Sequence, residues 1–359
     1  MDKTKPSPHT KHVVAPAKVV RPAARARRPT MTEVALAAGV SQTTVSLILN
    51  KASGARLSVE TRRRVQEAAD RLGYRLVRRG AKAAAWGGAT AIGFLVNELS
   101  TDPWMAIALD GAREKAWAHG LTISVAVTRG DPEMEQAAIK QMLSQPLIGW
   151  IYGTISTRRV EPQPVFYQKP LVLLNCYVAD RSLPSVVPAE IVGGFSATSR
   201  LVRAGHRRIG FINGEPWMDA SRDRLKGYRQ ALAAADIPFD PELVRSGNWE
   251  PSTGYSRTQE LMTLELPPTA IFCANDMMAL GCYDALGESG LSVPSDVAVV
   301  GYDDREIAQF MRPALTTVVL PHLEMGATAA EYLIDQATRP ASQPLQVKVE
   351  GPLVERDSV

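Results

Sequence analysis

The sequence predicts a small all-α head followed by an α/β body of two subdomains, each a doubly wound parallel sheet. Three observations carry this expectation. The 359 residues, 45% of them hydrophobic, are enough for roughly two to three domains with sizeable cores. Charge is split along the chain. Residues 1–86 hold 18 Lys and Arg against 5 Asp and Glu, a balance of +13, while the remainder holds 23 against 32, a balance of −9. Short capped helices fill the basic quarter, whereas beyond it apolar runs alternate with amphipathic helical stretches. A basic first quarter on an acidic body implies a polyanion-binding module attached to something that does other work.

Several classes are excluded. No run of 18 apolar residues occurs, so no membrane span is expected. The basic start of the chain lacks the apolar core of a secretory signal. Cys176, Cys273 and Cys282 form no metal-ligand spacing, and are expected as reduced thiols in a cytoplasmic protein without metal or cofactor.

Residues 1–28, rich in Lys, Arg, Pro and Ala, are expected as a disordered basic tail, with Arg25, Arg27 and Arg28 adding non-specific DNA affinity. The head spans 29–74. Thr30 or Thr32 caps a first helix with Val34, Ala35 and Ala38 inside, and Gly39 stops it. Ser41 caps a second, Gln42–Leu49, whose buried stripe is Val45, Ile48 and Leu49, leaving Gln42, Thr43, Ser46, Leu47 and Asn50 facing away. Ser58 caps a third with Val65, Ala68, Ala69 and Leu72 inside. A short helix, a Gly-containing turn and a second capped helix make a helix-turn-helix, whose second helix can enter the major groove. Gln42 and Thr43 can hydrogen-bond base edges, and Ser41, Thr44 and Ser46 suit phosphate or base contacts.

Residues 75–88, basic and rich in Ala and Gly, form a linker, and the body spans 89–359. Its apolar runs are 91–96, 121–127, 149–153, 171–175, 208–213, 270–274, 297–302 and 316–320. The helical stretches between them are 105–118, 134–143, 191–204, 225–235, 255–264 and 276–288. Such alternation implies parallel sheets with right-handed crossovers.

The run Thr32-Glu33-Val34-Ala35-Leu36-Ala37-Ala38-Gly39-Val40-Ser41, continued by Gln42 to Asn50, by Ser58 to Val65 and by Leu72-Gly73-Tyr74, resembles the head of the LacI/GalR family of bacterial transcription regulators. In the body, Ala204 to Gly210, Ala274-Asn275-Asp276-Met277-Met278-Ala279-Leu280-Gly281, Val300-Gly301-Tyr302-Asp303-Asp304 and Leu315-Thr316-Thr317 carry the same resemblance, which covers about Thr30 to Ala337.

The resemblance implies that Gln42 and Thr43 read bases while Ser41, Ser46, Asn50, Thr61 and Tyr74 contact or position the DNA backbone. Thr30, Thr32, Thr44, Leu47, Ser58, Arg78 and Ala83 complete the DNA-facing set. Two departures stand out. Leu47 occupies a position where the family usually has Arg, removing a bidentate guanine contact. In the hinge, Gly80 and Ala83 replace a helix that ordinarily ends in a wedging leucine, so DNA bending is weakened and Arg78, Arg79 and Lys82 are left to contact phosphates.

For the body the resemblance implies a periplasmic-binding-protein-like pair of subdomains joined by three crossovers around a cleft. The implied effector contacts are Asn97, Trp104, Arg129 and Asn175 from the first subdomain, and Arg224, Trp249, Asn275 and Asp303 from the second. His322 joins them, standing where family members often present an aromatic or polar side chain to the ligand. Arg224 and Asp303 suit paired sugar hydroxyls, and Trp104 or Trp249 an apolar sugar face. The implied protein is a homodimeric repressor on a near-palindromic DNA duplex, controlled by a sugar or sugar derivative, with a purine or nucleoside as the alternative. No leucine-rich heptad follows, so a dimer rather than a tetramer is expected. An enzyme is disfavoured because no phosphate loop, HExxH or nucleophile elbow occurs. A transport receptor is disfavoured by the helix-turn-helix.

Overall fold

The computed structural model describes residues 29–49, 58–74, 88–101, 103–338 and 343–359. The tail 1–28, Asn50, and the linker up to residue 87 with Arg78 and Ala83 lie outside the described residues.

The head is three helices, α1 (Met31–Ala38), α2 (Gln42–Leu49) and α3 (Val59–Leu72). Thr30, rather than Thr32, caps α1. Its hydroxyl accepts from the Glu33 amide while the Glu33 carboxylate accepts from the Thr30 amide at 2.6 Å, a reciprocal capping box. Gly39, at φ 63°, ends the helix in the left-handed conformation that a side chain would penalise. The Ser41 and Ser58 hydroxyls accept from Thr44 and Thr61 amides at 3.2 and 3.0 Å. Val34, Val45, Val65 and Ala68 form the core. Leu72, expected inside, is exposed in the last turn of α3, and Tyr74 packs against the cluster beyond it.

The first subdomain starts with β1 (Ala91–Val96), α4 (Trp104–Ala118), β2 (Thr122–Val127) and α5 (Pro132–Leu143). It continues with β3 (Leu147–Arg159), β4 (Leu171–Tyr177) and β5 (Ser185–Pro188). The second contains α6 (Glu190–Arg203), β6 (Ile209–Asn213), α7 (Asp219–Ala234), β7 (Val244–Ser246) and α8 (Pro251–Met262). It ends with β8 (Ala270–Cys273), α9 (Asp276–Glu288), β9 (Ala298–Asp303) and β10 (Thr316–Val319). The chain then returns through α10 (His322–Thr338) and β11 (Gln346–Val349) before closing with β12 (Leu353–Val354).

Each half is one six-stranded sheet, ordered β11-β5-β4-β3-β1-β2 and β12-β10-β9-β8-β6-β7. All pairings are parallel except β10 with β12. The chain crosses between sheets three times, after β5, after β10 and after β11. Central strands are buried on both faces and read as continuous apolar runs, such as Ala91–Val96 with every residue buried. Helices α4 and α10 approach closely because Gly111 and Gly326 lie at their contact. A Cβ on either would fall within 2 Å of a carbonyl oxygen of the other helix.

The head rests on this helix pair, with Ile107 of α4 and Leu323 of α10 joining its hydrophobic cluster. The three cysteines are free and buried, and among the described residues no helix is long and apolar enough to cross a membrane.

Candidate functional site

Ligand clefts in open α/β sheets form beyond the carboxyl ends of the strands. There the structure gathers five of the nine expected effector residues: Arg224, Asp303, Trp104, Trp249 and His322. Arg224, on α7, is buried and donates from Nε and Nη2 to both carboxylate oxygens of Glu190, at 2.8 and 2.9 Å. Its Nη1 donates to the carbonyl of Ala274. The guanidinium lies 3.7 Å from the Tyr302 ring centroid and 5.5 Å from that of Trp249. Asp303 Oδ1 stands 3.9 Å from Nη1. Burial works against the charge on Arg224, but Glu190 outweighs it and the guanidinium pKa is raised.

Asp303 ends β9 and also faces Arg305 at 3.7 Å, whose guanidinium sits 5.0 Å over the Trp104 ring. Trp104 begins α4 and stands 5.7 Å from His322, which begins α10. His322 is buried, and neither ring nitrogen has a hydrogen-bond partner. Burial, aided by the charge of Arg224, pushes its pKa down to about 3, so the imidazole is neutral, with one donor and one acceptor nitrogen. A cavity of about 310 Å³ opens here, lined by Trp104, Ile107, Asp303, Arg305, Leu320 and, from the head, Gln42.

The four remaining residues are placed differently. Asn275 caps α9 by accepting from the Met278 amide at 2.8 Å, and donates to the Trp249 carbonyl at 2.9 Å. Asn175, at the end of β4, donates to the carbonyls of Thr154 and Ile155 and accepts from the Thr157 hydroxyl. Asn97 accepts from the Ile155 amide at 3.0 Å. Arg129 is exposed beyond the edge strand β2 and faces Glu98 at 3.8 Å, away from the cavity.

Four residues of the site escaped sequence reasoning. Glu190 lies just before the helix that the sequence predicts from Ile191. It is in fact the first residue of α6, buried among the cleft groups, and its only signal was an acid at a helix N-terminus. Tyr302 and Arg305 flank Asp303 and pack on the aromatic and cationic groups just described. Asp276, buried behind them, accepts from the Thr317 hydroxyl at 2.6 Å and the Arg305 amide at 2.7 Å. Burial, reinforced by Asp303, raises its pKa well above the ordinary carboxylate range.

The cleft is also bridged. Tyr177, at the end of β4, donates its hydroxyl to Asp219 of α7 at 2.6 Å across the two subdomains.

In the head, Gln42, Ser41, Thr44 and Ser46 lie on one helix-turn-helix, but they are buried rather than facing solvent. Gln42 and Ser46 were expected to face away from the core. Gln42 is covered where α2 meets the body, lining the cavity with its amide nitrogen unpartnered, and Ser46 is likewise buried. Thr32 is buried within α1, whereas Ser58 is exposed and Thr61 half-buried on α3. The side chains of Thr43 and Leu47 lie outside the described residues.

The comparisons with known proteins agree with this architecture. Residues 30–75 match the model of bacterial regulatory proteins of the lacI family, and residues 198–359 match a periplasmic binding protein-like domain. The transcriptional repressor PurR of Haemophilus influenzae is 31% identical over 86% of this chain and 91% of its own length. A solved complex of the transcriptional regulator CelR with cellobiose is 31% identical, with a TM-score of 0.64 over 92% of this chain and all of the other. The lac repressor dimer bound to operator and an anti-inducer is 27% identical, with a TM-score of 0.63 over 92% of this chain and 99% of the other. A helix-turn-helix on a two-sheet body thus has full-length relatives of the same build, and the chain belongs to the lacI family as a DNA-binding transcriptional repressor.

Proposed function

We propose that the chain, as a homodimer, binds a near-palindromic operator through its two heads, and that a sugar or sugar derivative in the cleft between subdomains changes its operator affinity. One observation carries the assignment of the cleft. Of the seven non-glycine residues with left-handed φ among those described, two belong to the five effector residues gathered at the cleft, Trp249 at 72° and Asp303 at 110°, and a third, Asp304, adjoins them at 53°. Such backbone costs on the order of 1–3 kcal/mol per residue and persists where the surroundings over-determine it, characteristically at ligand sites. The aromatic rings and the hydroxyl-binding pair Arg224 and Asp303 fit a polar ring with an apolar face. The chain acts by binding alone, in the cytoplasm, with residues 75–88 as the hinge between head and body. The ligand acts through its different affinity for two arrangements of the subdomains.

A purine or nucleoside is the second reading. It is favoured by the 31% identity to PurR and by the tilted Trp104–His322 ring pair, which can meet a flat base.

Thermal unfolding of the full chain against sugars, polyols and nucleobases tests the cleft. A ligand at 100 times its Kd stabilises the native state by about 2.7 kcal/mol. Stabilisation by one sugar class, with a parallel change in affinity for its operator, is the expected result. Stabilisation by nucleobases alone would give the second reading its place, and ligand binding with no effect on DNA affinity would sink the allosteric reading.

A further inference from the structure

Arg224 is the most deeply placed cation of the cleft, and its charge is already spent. Glu190 holds it through two hydrogen bonds from a buried position at the first turn of α6, where the helix N-terminus stabilises the carboxylate. Asp303 is a second carboxylate 3.9 Å away. The other arginines nearby are matched in the same way: Arg305 faces Asp303 at 3.7 Å, and Arg356 is bound to Asp304 at 2.7 Å. Glu306, a further acid, lines the cavity. The site therefore offers many hydrogen-bonding groups and no surplus positive charge.

We propose that Glu190 is a specificity-determining residue which, by cancelling Arg224, makes the cleft select an uncharged polyhydroxylated ligand over its phosphorylated or carboxylated counterpart. The inference rests on the cleft being the effector site. Three of the five N–H groups of Arg224 are engaged by Glu190 and the Ala274 carbonyl, and Nη1 lies 3.9 Å from Asp303, the carboxylate that reaches the cavity wall. A hydroxyl satisfies both neighbours at once, accepting from Arg224 and donating to Asp303. A phosphate or carboxylate oxygen has no proton to give at neutral pH and sets its charge against Asp303, losing its hydration without a free cation in return. His322 repeats the pattern. Its neutral ring, with one donor and one acceptor nitrogen and neither engaged, fits hydroxyls and offers an anion no charge.

The test is calorimetric titration of the full chain with matched pairs: ribose and ribose 5-phosphate, glucose and glucose 6-phosphate, cellobiose and cellobionate, inosine and inosine monophosphate. Binding confined to neutral members, with any charged counterpart at least about 100-fold weaker, is expected, since one unpaired buried charge is worth at least that ratio. Glu190→Gln should narrow the ratio about tenfold by strengthening the charged member. If that variant does not fold, the wild-type ratio still decides, and Asp303→Asn should narrow it in the same direction. A charged member that binds wild-type protein as tightly as its neutral partner overturns this inference alone. Failure of every pair, in protein that still binds operator, overturns the effector-site reading with it.

Discussion

The polar groups on the two sides of the cleft are used differently. On the first subdomain, Asn97 and Asn175 bind the backbone and side chains of residues 154–157, holding the far end of β3 in place. On the second, Arg224, Glu190, Asp303 and Tyr302 form a buried charged cluster, of which Asp303 reaches the cavity wall. The difference teaches that one wall is shaped by its polar residues, while the other, as the proposed effector site, keeps them as a paired charged cluster through which it would recognise a ligand. Residues that look equivalent as ligand contacts in a sequence are divided by whether their hydrogen-bonding capacity is already used.

Arg224→Ala probes the recognising wall and has the largest expected effect. It leaves Glu190 buried without its partner, at a cost of about 3–5 kcal/mol, and abolishes the ligand response. Urea unfolding reads the first and ligand-induced stabilisation the second. A variant that unfolds like the wild type would show that the pair is not buried as described. Asn175→Ala probes the shaping wall. Lost hydrogen bonds and a left-handed φ of 57° that alanine disfavours should cost about 1–3 kcal/mol, while ligand Kd changes within about threefold. A large change in Kd with unchanged stability would erase the distinction between the walls.

The smallest expected effect at neutral pH is that of His322, which emerges only as the pH is lowered. His322 titrates at about 3 in the fold against 6.5 when free, so below pH 6.5 the unfolded chain takes up a proton that the native chain does not. Stability therefore falls as the pH is lowered from 6.5 towards 3, by at most about 1.4 kcal/mol per pH unit from this group. Replacing His322 by Gln should flatten that limb of a stability–pH curve measured by urea unfolding. Superimposable acid limbs would mean that the ring is solvated or paired.

Much of the fold was legible because its signals are local. Capping serines and threonines, Gly39 and the apolar periodicity place α1 to α3 in the sequence, and the eight expected apolar runs correspond to eight strands. β5, β7, β11 and β12 were not legible. They are two to four residues long and lie at or beside sheet edges, too short for a periodic pattern to stand out, and three of them are only partly buried, as in Gln346–Val349 with alternate residues exposed. Helix α10 has no counterpart among the expected helical stretches, although its buried residues Leu323, Gly326, Ala330, Leu333 and Ile334 recur at helical spacing. At the site, Arg224 and Asp303 were legible through motif. Glu190 was not, because its role depends on a partner 34 residues away that only the folded chain brings within 3 Å. The covering of Gln42 by the body is likewise a tertiary fact, invisible to a helical pattern.

The third crossing of the chain has a consequence for how the molecule is made. β11 adds to the edge of one sheet beside β5, and β12 adds to the other beside β10, while the Ser358 hydroxyl ties Val299 to Thr316. Both sheets therefore wait on the same late-synthesised stretch, residues 346–358, before either is complete. Until the ribosome has delivered it, β5 and β10 stay as open edges with unpaired backbone groups, the surfaces that nascent chains most readily join to one another. A message cut short near residue 345 would leave both sheets with an open edge, β5 in one and β10 in the other.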